Sequence, residues 1–402
     1  MMNTIQQMPL YYDPYKPEIW QDPYLILKRM RNEAPVFYNE EYDFYAVSCY
    51  EDVAAGLMDA STFSSGRGNI IELIKSDFEF PPGIIIMEDP PIHTAHRRIL
   101  SLLFTPKNIS HLETKIREIC MSCMETALEN ERFDFVSDLG GQMPMQVIGM
   151  LLGIPEQDLH HIQEITDATI RAEAGRPIDA ETSICDAEDF EGYIEWRRKN
   201  PSDDIMTSLM NTEFKDDKGI VRKLSLEEIT SMVMLMSAAG NETTSRLIGW
   251  AGKILAEHPD QRRQVADDLS LIPSMIEEVL RFEAPGAHAA RFVTRDVKIR
   301  NQTIAKGSVV DFILASANRD EEIFANGDEF NIHRRNASSH LTFGKGIHTC
   351  IGLALARMEA RVAMEEVFKR IRDWEVDYDN AQFSPTTSVR GWDSLPVNLT
   401  IR

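Results

Sequence analysis

The chain has 402 residues, of which 43% are hydrophobic and 26% charged, and its formal net charge is −22. This is ample material for a large core, while the acidic balance excludes a general binder of nucleic acid or of anionic membranes, both of which repel it. No basic-then-apolar leader opens the sequence and no run approaches the ~20 apolar residues that cross a bilayer, so a cytoplasmic protein without a membrane anchor is expected. The five cysteines (Cys49, Cys120, Cys123, Cys185 and Cys350) are scattered and odd in number, which points to a reducing compartment and away from a disulfide framework.

In chain order, helical periodicity predicts helices over Pro23–Arg31, Tyr50–Met58, Ile92–Leu103, Lys107–Asn130, Met143–Leu152, Glu156–Ala172, Ala187–Lys199 and Asp204–Met210. A much longer helix is expected from about Leu226 to Glu257. Ser225 and Glu228 form a capping box at its start, and His258-Pro259 follows its last turn. At ~1.5 Å per residue it is a rod of ~48 Å; apolar on nearly all sides from Ile229 to Ala239, it should run through the core. Another helix-forming run covers Leu353 to Phe368. Strand-like runs are few: Pro35–Val47, Val293–Ile304, Val309–Leu314, and a short pair at Phe383–Val389 and Pro396–Ile401. Two stretches read as mobile, Phe63–Pro91 and Ala174–Glu188. No internal repeat or low-complexity tract interrupts the pattern. The expectation is a mainly α fold with small β sheets in one compact unit.

The chemistry concentrates in Phe343-Gly344-Lys345-Gly346-Ile347-His348-Thr349-Cys350-Ile351-Gly352. A cysteine in a glycine-rich turn just before a helix meets free backbone N–H groups and the helix dipole, both of which favour a thiolate. Phe343 can shield one side, and Gly344 and Gly346 let the backbone approach a flat ligand. A thiolate held this way suits axial ligation of haem iron. A buried structural cysteine is the plainer alternative. A dinucleotide loop fits poorly, since Thr349 stands where its third glycine belongs. Cys120-x-x-Cys123 has no second pair and lies in a helical pattern, so a structural role is expected.

Three further segments read alongside it. Ala239-Gly240-Asn241-Glu242-Thr243-Thr244 sits inside the long helix, where Gly240 costs about 1 kcal/mol relative to alanine. Threonine hydroxyls there can bond the helix ladder and open a local kink. Glu242 supplies an ionisable group whose pKa would rise in apolar surroundings. Glu278 and Arg281 share a helix face at i and i+3, weak alone but followed by Pro285 and by Asn331-Ile332-His333-Arg334. His93 and Arg97 lie four apart on one helix face and can reach one anionic group. His93-x-x-His96 could instead be a metal pair, but no third ligand is visible nearby.

The pattern F-G-x-G-x-H-x-C-x-G resembles the haem-binding loop of the cytochrome P450 family, and the resemblance extends from about Asp22 to Arg402. It implies the cytochrome P450 fold as a single large domain over residues 22–402, after an N-terminal segment of residues 1–21, with haem b (iron protoporphyrin IX) bound through Cys350. It implies Glu242 as proton relay and Thr243 as the hydroxyl nearest the oxygen. Glu278, Arg281 and Arg334 would form a buried structural network, and His93, Arg97, Arg291 and His348 would hold the haem propionates beside the Phe343-Gly344 turn. The implied activity is insertion of one oxygen atom from O2 into a hydrophobic small molecule by a monomeric enzyme. Its electrons would come from a separate ferredoxin and an NAD(P)H-dependent ferredoxin reductase, with Arg98, Lys107, Lys345, Arg357 and Arg361 as a basic docking patch or as an ordinary solvated surface. A peroxide-using peroxygenase of the same fold, a haem-based sensor and a helical scaffold with a structural cysteine are the alternatives. Specificity is expected from Phe63–Met87, Ile165–Arg176, Met234–Ala239, Ala287–Ala290 and Val389–Trp392, with His288 either a substrate anchor or a surface or haem-edge histidine.

Overall fold

In the computed structural model, residues 9–401 are described, apart from 77, 130–131, 171–175, 178–186, 217 and 386–388. The helix Leu226–Glu257 organises it. Its capping box is formed, with Ser225 Oγ accepting from Glu228 N–H and the Glu228 carboxylate accepting from Ser225 N–H. Apolar residues on several of its faces, among them Met232, Leu247, Ile248 and Ile254, are buried in the larger of the hydrophobic clusters. The helices Met143–Leu152, Glu113–Glu129, Ile272–Phe282 and Leu353–Arg370 contribute much of the rest of that cluster. No helix among the described residues is long and apolar enough to cross a membrane.

A five-stranded sheet lies to one side, in the order Val36–Asn39, Phe44–Val47, Val309–Ile313, His288–Val293, Phe63–Ser64. Val309–Ile313 runs parallel to Phe44–Val47, and every other pairing in this sheet is antiparallel. Two smaller clusters cover this sheet, one holding Tyr12, Trp20 and Ala290 and the other Tyr50, Val293 and Phe312.

Several expected elements differ from those formed. The single helix expected over Lys107–Asn130 is two, Pro106–Ser110 and Glu113–Glu129. Thr105 caps the first by accepting from Asn108 N–H, and that turn ends before the long helix begins. The strand Pro396–Ile401 pairs with Ile371–Val376, and Gln382–Phe383 pairs with Trp392–Ser394. The two C-terminal strand-like runs therefore belong to different sheets. The stretch expected to be mobile at Ala174–Glu188 lies largely outside the described residues.

The expected network is formed. Arg281 grips Glu278 through Nε (2.7 Å) and Nη2 (2.8 Å). Its remaining donors go to the carbonyls of Asn318, Gly327 and Glu329. Arg334 Nε reaches Glu278 Oε1 at 3.1 Å, and the same oxygen accepts from Asn331 N–H at 2.8 Å. Glu278 and Arg281 are both fully buried, and Arg satisfies carboxylate and carbonyls together through its planar fork. Through these bonds the irregular chain from Asn318 to Arg334 is pinned against the Ile272–Phe282 helix just before the cysteine loop. Arg281→Ala leaves the Glu278 charge buried without its main partner and is expected to cost about 3–5 kcal/mol in denaturant unfolding; a loss under about 1 kcal/mol would show the network to be dispensable.

Candidate active site

The cysteine loop hangs between the network and the Leu353–Arg370 helix. Thr342 Oγ1 donates to Leu280 O (2.6 Å), Leu341 N–H to Asn318 Oδ1 (2.6 Å), and Cys350 N–H to Phe343 O (2.8 Å). Gly344 and Gly346 adopt positive φ, 68° and 77°. The close approach that requires Gly346 is to protein and not to a flat ligand, since a Cβ there would lie 2.7 Å from Leu57 O. Burial pushes the Cys350 thiol up, against the backbone N–H groups of Gly352 and Leu353 and the charges of Arg97 and Arg357. In the folded chain burial thus opposes the thiolate that these N–H groups and arginines favour, and a bound iron would add a further positive charge in its favour.

Cys350 opens into a cavity of about 310 Å³. On the opposite wall the central helix contributes Ala239, Gly240, Thr243 and Thr244, while Ile85, Ile86, Leu235 and Ala289 line other parts. Thr243 Oγ1 donates to Ala239 O at 2.7 Å, and the helix continues without a break through this turn. Packing accounts for the glycine in it: a Cβ on Gly240 would press on the Ile148 side chain at 3.3 Å. Of the segments expected to set specificity, Phe63–Met87, Met234–Ala239 and Ala287–Ala290 reach the cavity, and none of the described residues of Val389–Trp392 does. Ile165–Arg176 falls partly outside the described residues.

Glu242 faces elsewhere. It borders a separate polar cavity of about 840 Å³ with Asn241, Ser245, Arg246, His160 and Asp393. Its Oε1 accepts from Arg246 Nη2 at 2.8 Å, and the same nitrogen donates to Asp393 Oδ1 at 2.7 Å. The apolar surroundings expected for this carboxylate are therefore replaced by ionic ones. Adjacent residues on a helix point about 100° apart, which puts Glu242 and Thr243 on different sides.

Arg97, Arg291 and His348 line the Cys350 cavity, and His93 lies against His348 just outside it. His93 is buried at 2% exposure with no hydrogen-bond partner on either ring nitrogen among the described residues, and His348 Nε2 also lacks one. Their rings lie 4.4 Å apart. Arg97 Nη2 donates to Thr349 O, and Arg291, also buried, has its Nη1 on Ala290 O at 2.8 Å. Burial, then the neighbouring Arg291, His93 and Arg97, push the His348 imidazole down to about 3. Burial likewise pulls Arg291 down to about 10. Imidazole nitrogens without partners among the described residues, set beside Arg97 and Arg291, fit a pair of carboxylates such as haem propionates.

His288 is held by Asp311 Oδ2 (3.0 Å) and stacked on Trp20. It also borders the Cys350 cavity, while these contacts occupy its Nδ1 and a face of its ring. Cys120 and Cys123 are buried and unpaired, with thiols pushed up by burial to about 12 and about 11, as a structural role requires.

A family model described as cytochrome P450 matches residues 186–388. A putative cytochrome P450 123 of Mycobacterium tuberculosis is 35% identical over 398 residues, 98% of each chain. The chain belongs to the cytochrome P450 family. It is also 32% identical to the vitamin D(3) 25-hydroxylase of Pseudonocardia autotrophica, over 96% of each chain. The solved structure of cytochrome P450 CYP109Q5 from Chondromyces apiculatus superposes with a TM-score of 0.86 at 33% identity, covering 98% of this chain and all of that one. The protein is thus a haem b monooxygenase of bacterial type.

One buried acid escaped the sequence reading. Glu359, on the Leu353–Arg370 helix, borders the Cys350 cavity, is 2% exposed, and its Oε2 has no partner among the described residues. Its only signal was an acid within an apolar helical pattern. Burial raises it from 4.5 to about 8. Its contribution to stability is complete below about pH 4.5 and is lost as the pH rises toward 8, because only the folded state still holds the proton in that window. Glu359→Gln is expected to flatten this slope in thermal unfolding followed from about pH 5 to 8; an unchanged slope would show that the carboxyl is not desolvated.

Proposed function

We propose that the protein hydroxylates a hydrophobic small molecule with one oxygen atom of O2. In this reading electrons arrive from a separate ferredoxin and an NAD(P)H-dependent ferredoxin reductase, and residues 22–402 act as one catalytic domain, monomeric and cytoplasmic. Cys350 would hold the haem iron from the turn shaped by Phe343 and Gly344, and His93, Arg97, Arg291 and His348 would hold the propionates. The observation that carries this reading is the meeting, in one cavity, of Cys350, the Gly240–Thr244 wall and the donors Arg97, Arg291 and His348, the last with Nε2 unpartnered among the described residues. Bound haem supplies activation of O2 for insertion into a C–H bond.

The protein's own residues supply the rest. The lining by Ile85, Ile86, Leu235, Met236 and Ala289 excludes water and suits a terpenoid, steroid, fatty acid or aromatic ligand; the relative named as a vitamin D(3) hydroxylase supports the same class. Thr243 keeps its hydroxyl at the cavity wall by donating to Ala239 O, leaving oxygen lone pairs to accept from a proton donor. Glu242 exchanges protons with solvent in the polar cavity, where Arg246 holds its carboxylate and is itself held by Asp393.

The docking patch is smaller than the sequence suggested. Arg357 is taken up by Glu277 (2.6 and 2.9 Å), and Arg361 by Glu113 and Glu365 (2.6 and 2.7 Å). Arg98, Lys107 and Lys345 are exposed without an ion pair among the described residues, and the apolar side chains of Leu102 and Ile347, close to them in sequence, are exposed too. Apolar surface with cations at its edge suits an acidic ferredoxin.

The deciding experiment is the spectrum of the reduced protein under carbon monoxide. The red-shifted band of thiolate-bound haem is expected, and Cys350→Ala should abolish it together with turnover; an intact band in that variant would remove the assignment. For the partner, Arg98→Glu with Lys345→Glu is expected to slow reduction by ferredoxin about tenfold or more at low salt while leaving dithionite reduction unchanged. Equal ferredoxin rates would dismiss the patch.

A further inference from the structure

His96 lies one turn beyond His93 on the Ile92–Leu103 helix and is fully buried. Both of its ring nitrogens face carboxylates. Nδ1 is 2.9 and 3.0 Å from the two oxygens of Glu88, and Nε2 is 3.1 Å from Glu228 Oε1. A neutral imidazole has one N–H and one lone pair. A lone pair aimed at a carboxylate oxygen at this distance is repulsive, so the geometry calls for hydrogen on both nitrogens and a positive ring. Each carboxylate is held further. Glu88 accepts from Gly83 N–H at 2.7 Å, and Glu228 accepts from Arg222 Nη1 and Nη2 at 2.7 Å each and from Ser225 N–H at 2.7 Å. Two anions thus face two cations. Asp216 bonds Arg222 from behind at 3.2 Å, the Phe214 ring closes one side at 5.7 Å, and His93 is the neighbouring titratable group on the same helix.

This cluster ties the roof of the apolar cavity to the start of the central helix. Gly83 has φ 102° and sits so tightly on that helix that a Cβ would lie 2.6 Å from Glu228 O. Five residues later Glu88 reaches His96. Between these two attachments Ile85 and Ile86 turn into the cavity. We propose that His96 is a positioning residue: as a cation between Glu88 and Glu228 it docks the Gly83–Glu88 segment, so that Ile85 and Ile86 present a fixed apolar wall to the substrate, and it frees that wall on losing its proton. The inference rests on the reading of this cavity as the substrate pocket.

The pH dependence has a definite sign. Burial lowers the His96 imidazole, but its hydrogen bonds to Glu228 and Glu88 outweigh this and raise it from 6.5 to about 9. Docking is therefore fully supported below about pH 6.5 and is lost as the pH rises through 9.

The test uses the ferric holoenzyme and 4-phenylimidazole as probe, with hydrogen exchange of the 84–88 amides corrected for intrinsic base catalysis. For the wild type, exchange at 84–88 and the probe Kd are each expected to rise about tenfold between roughly pH 7 and 10, while exchange in Glu113–Glu129 stays level. In His96→Gln both should be high already at pH 7 with no further step. Should that variant fail to fold, Glu88→Gln keeps the ring and one partner and should show a smaller rise in the same two readings. Exchange at 84–88 that stays at the wild-type pH 7 rate in His96→Gln, or a wild-type pH step in either variant, overturns the proposal. Ile86→Ala separates the two readings: if it alters probe affinity while His96→Gln does not, the pocket stands and the His96 role falls; if neither does, both fall.

Discussion

The carboxylate of Glu278 is the tie on which the haem site depends. It is fully buried, and a bare charge there would be untenable. Arg281, Arg334 and the Asn331 amide satisfy it, and the two arginines direct their remaining donors to backbone carbonyls of a stretch that has little regular structure of its own. Irregular chain is thereby made as fixed as a strand. The cysteine loop begins a few residues later, bonded to Leu280 O and Asn318, so its position is inherited from that single carboxylate. Packing then sets the sulfur opposite the central helix.

The central helix separates two environments. One side offers Gly240 and Thr243 to an apolar cavity, and the other offers Glu242 and Arg246 to a polar one. In the proposed reading, such a partition would keep solvent protons near at hand beside an apolar substrate side. It also explains why an ion pair on a buried helix is tolerated: Arg246 has Glu242, Asp393 and Ser384 to satisfy it.

Much of this was legible in the sequence because local signals agreed. The capping box and His258-Pro259 bound the central helix at Leu226 and Glu257, and Tyr50–Met58 and Ile92–Leu103 form as their periodicity predicts. The strand Ile371–Val376 was hidden for a physical reason. It follows the preceding helix with no turn residue between, and a register shift between Ile371 and Asp373 breaks the alternation by which strands are read. The residues of the cysteine loop and the nearby donors His93, Arg97, Arg291 and His348 carry their chemistry in their types and spacing. The facing of Glu242 was available from helix geometry, but Asp393, which shares its Arg246 partner, lies far along the chain. His96 shows the same limit more strongly: its meaning resides in Glu88 and Glu228, one nearby and one 132 residues away, and no local pattern joins them.

In the proposed reading, the capture of Arg357 and Arg361 by carboxylates of the chain bears on how an acidic ferredoxin would reach the protein. With a net charge of −22, the whole molecule repels such a donor at long range, and the three cations Arg98, Lys107 and Lys345 attract it only at close quarters. Beyond a Debye length of about 10 Å at about 0.1 M salt the first effect is damped before the second. Moderate ionic strength should thus ease the encounter rather than hinder it, and guidance at the moment of touch falls to the bare hydrocarbon of Leu102 and Ile347.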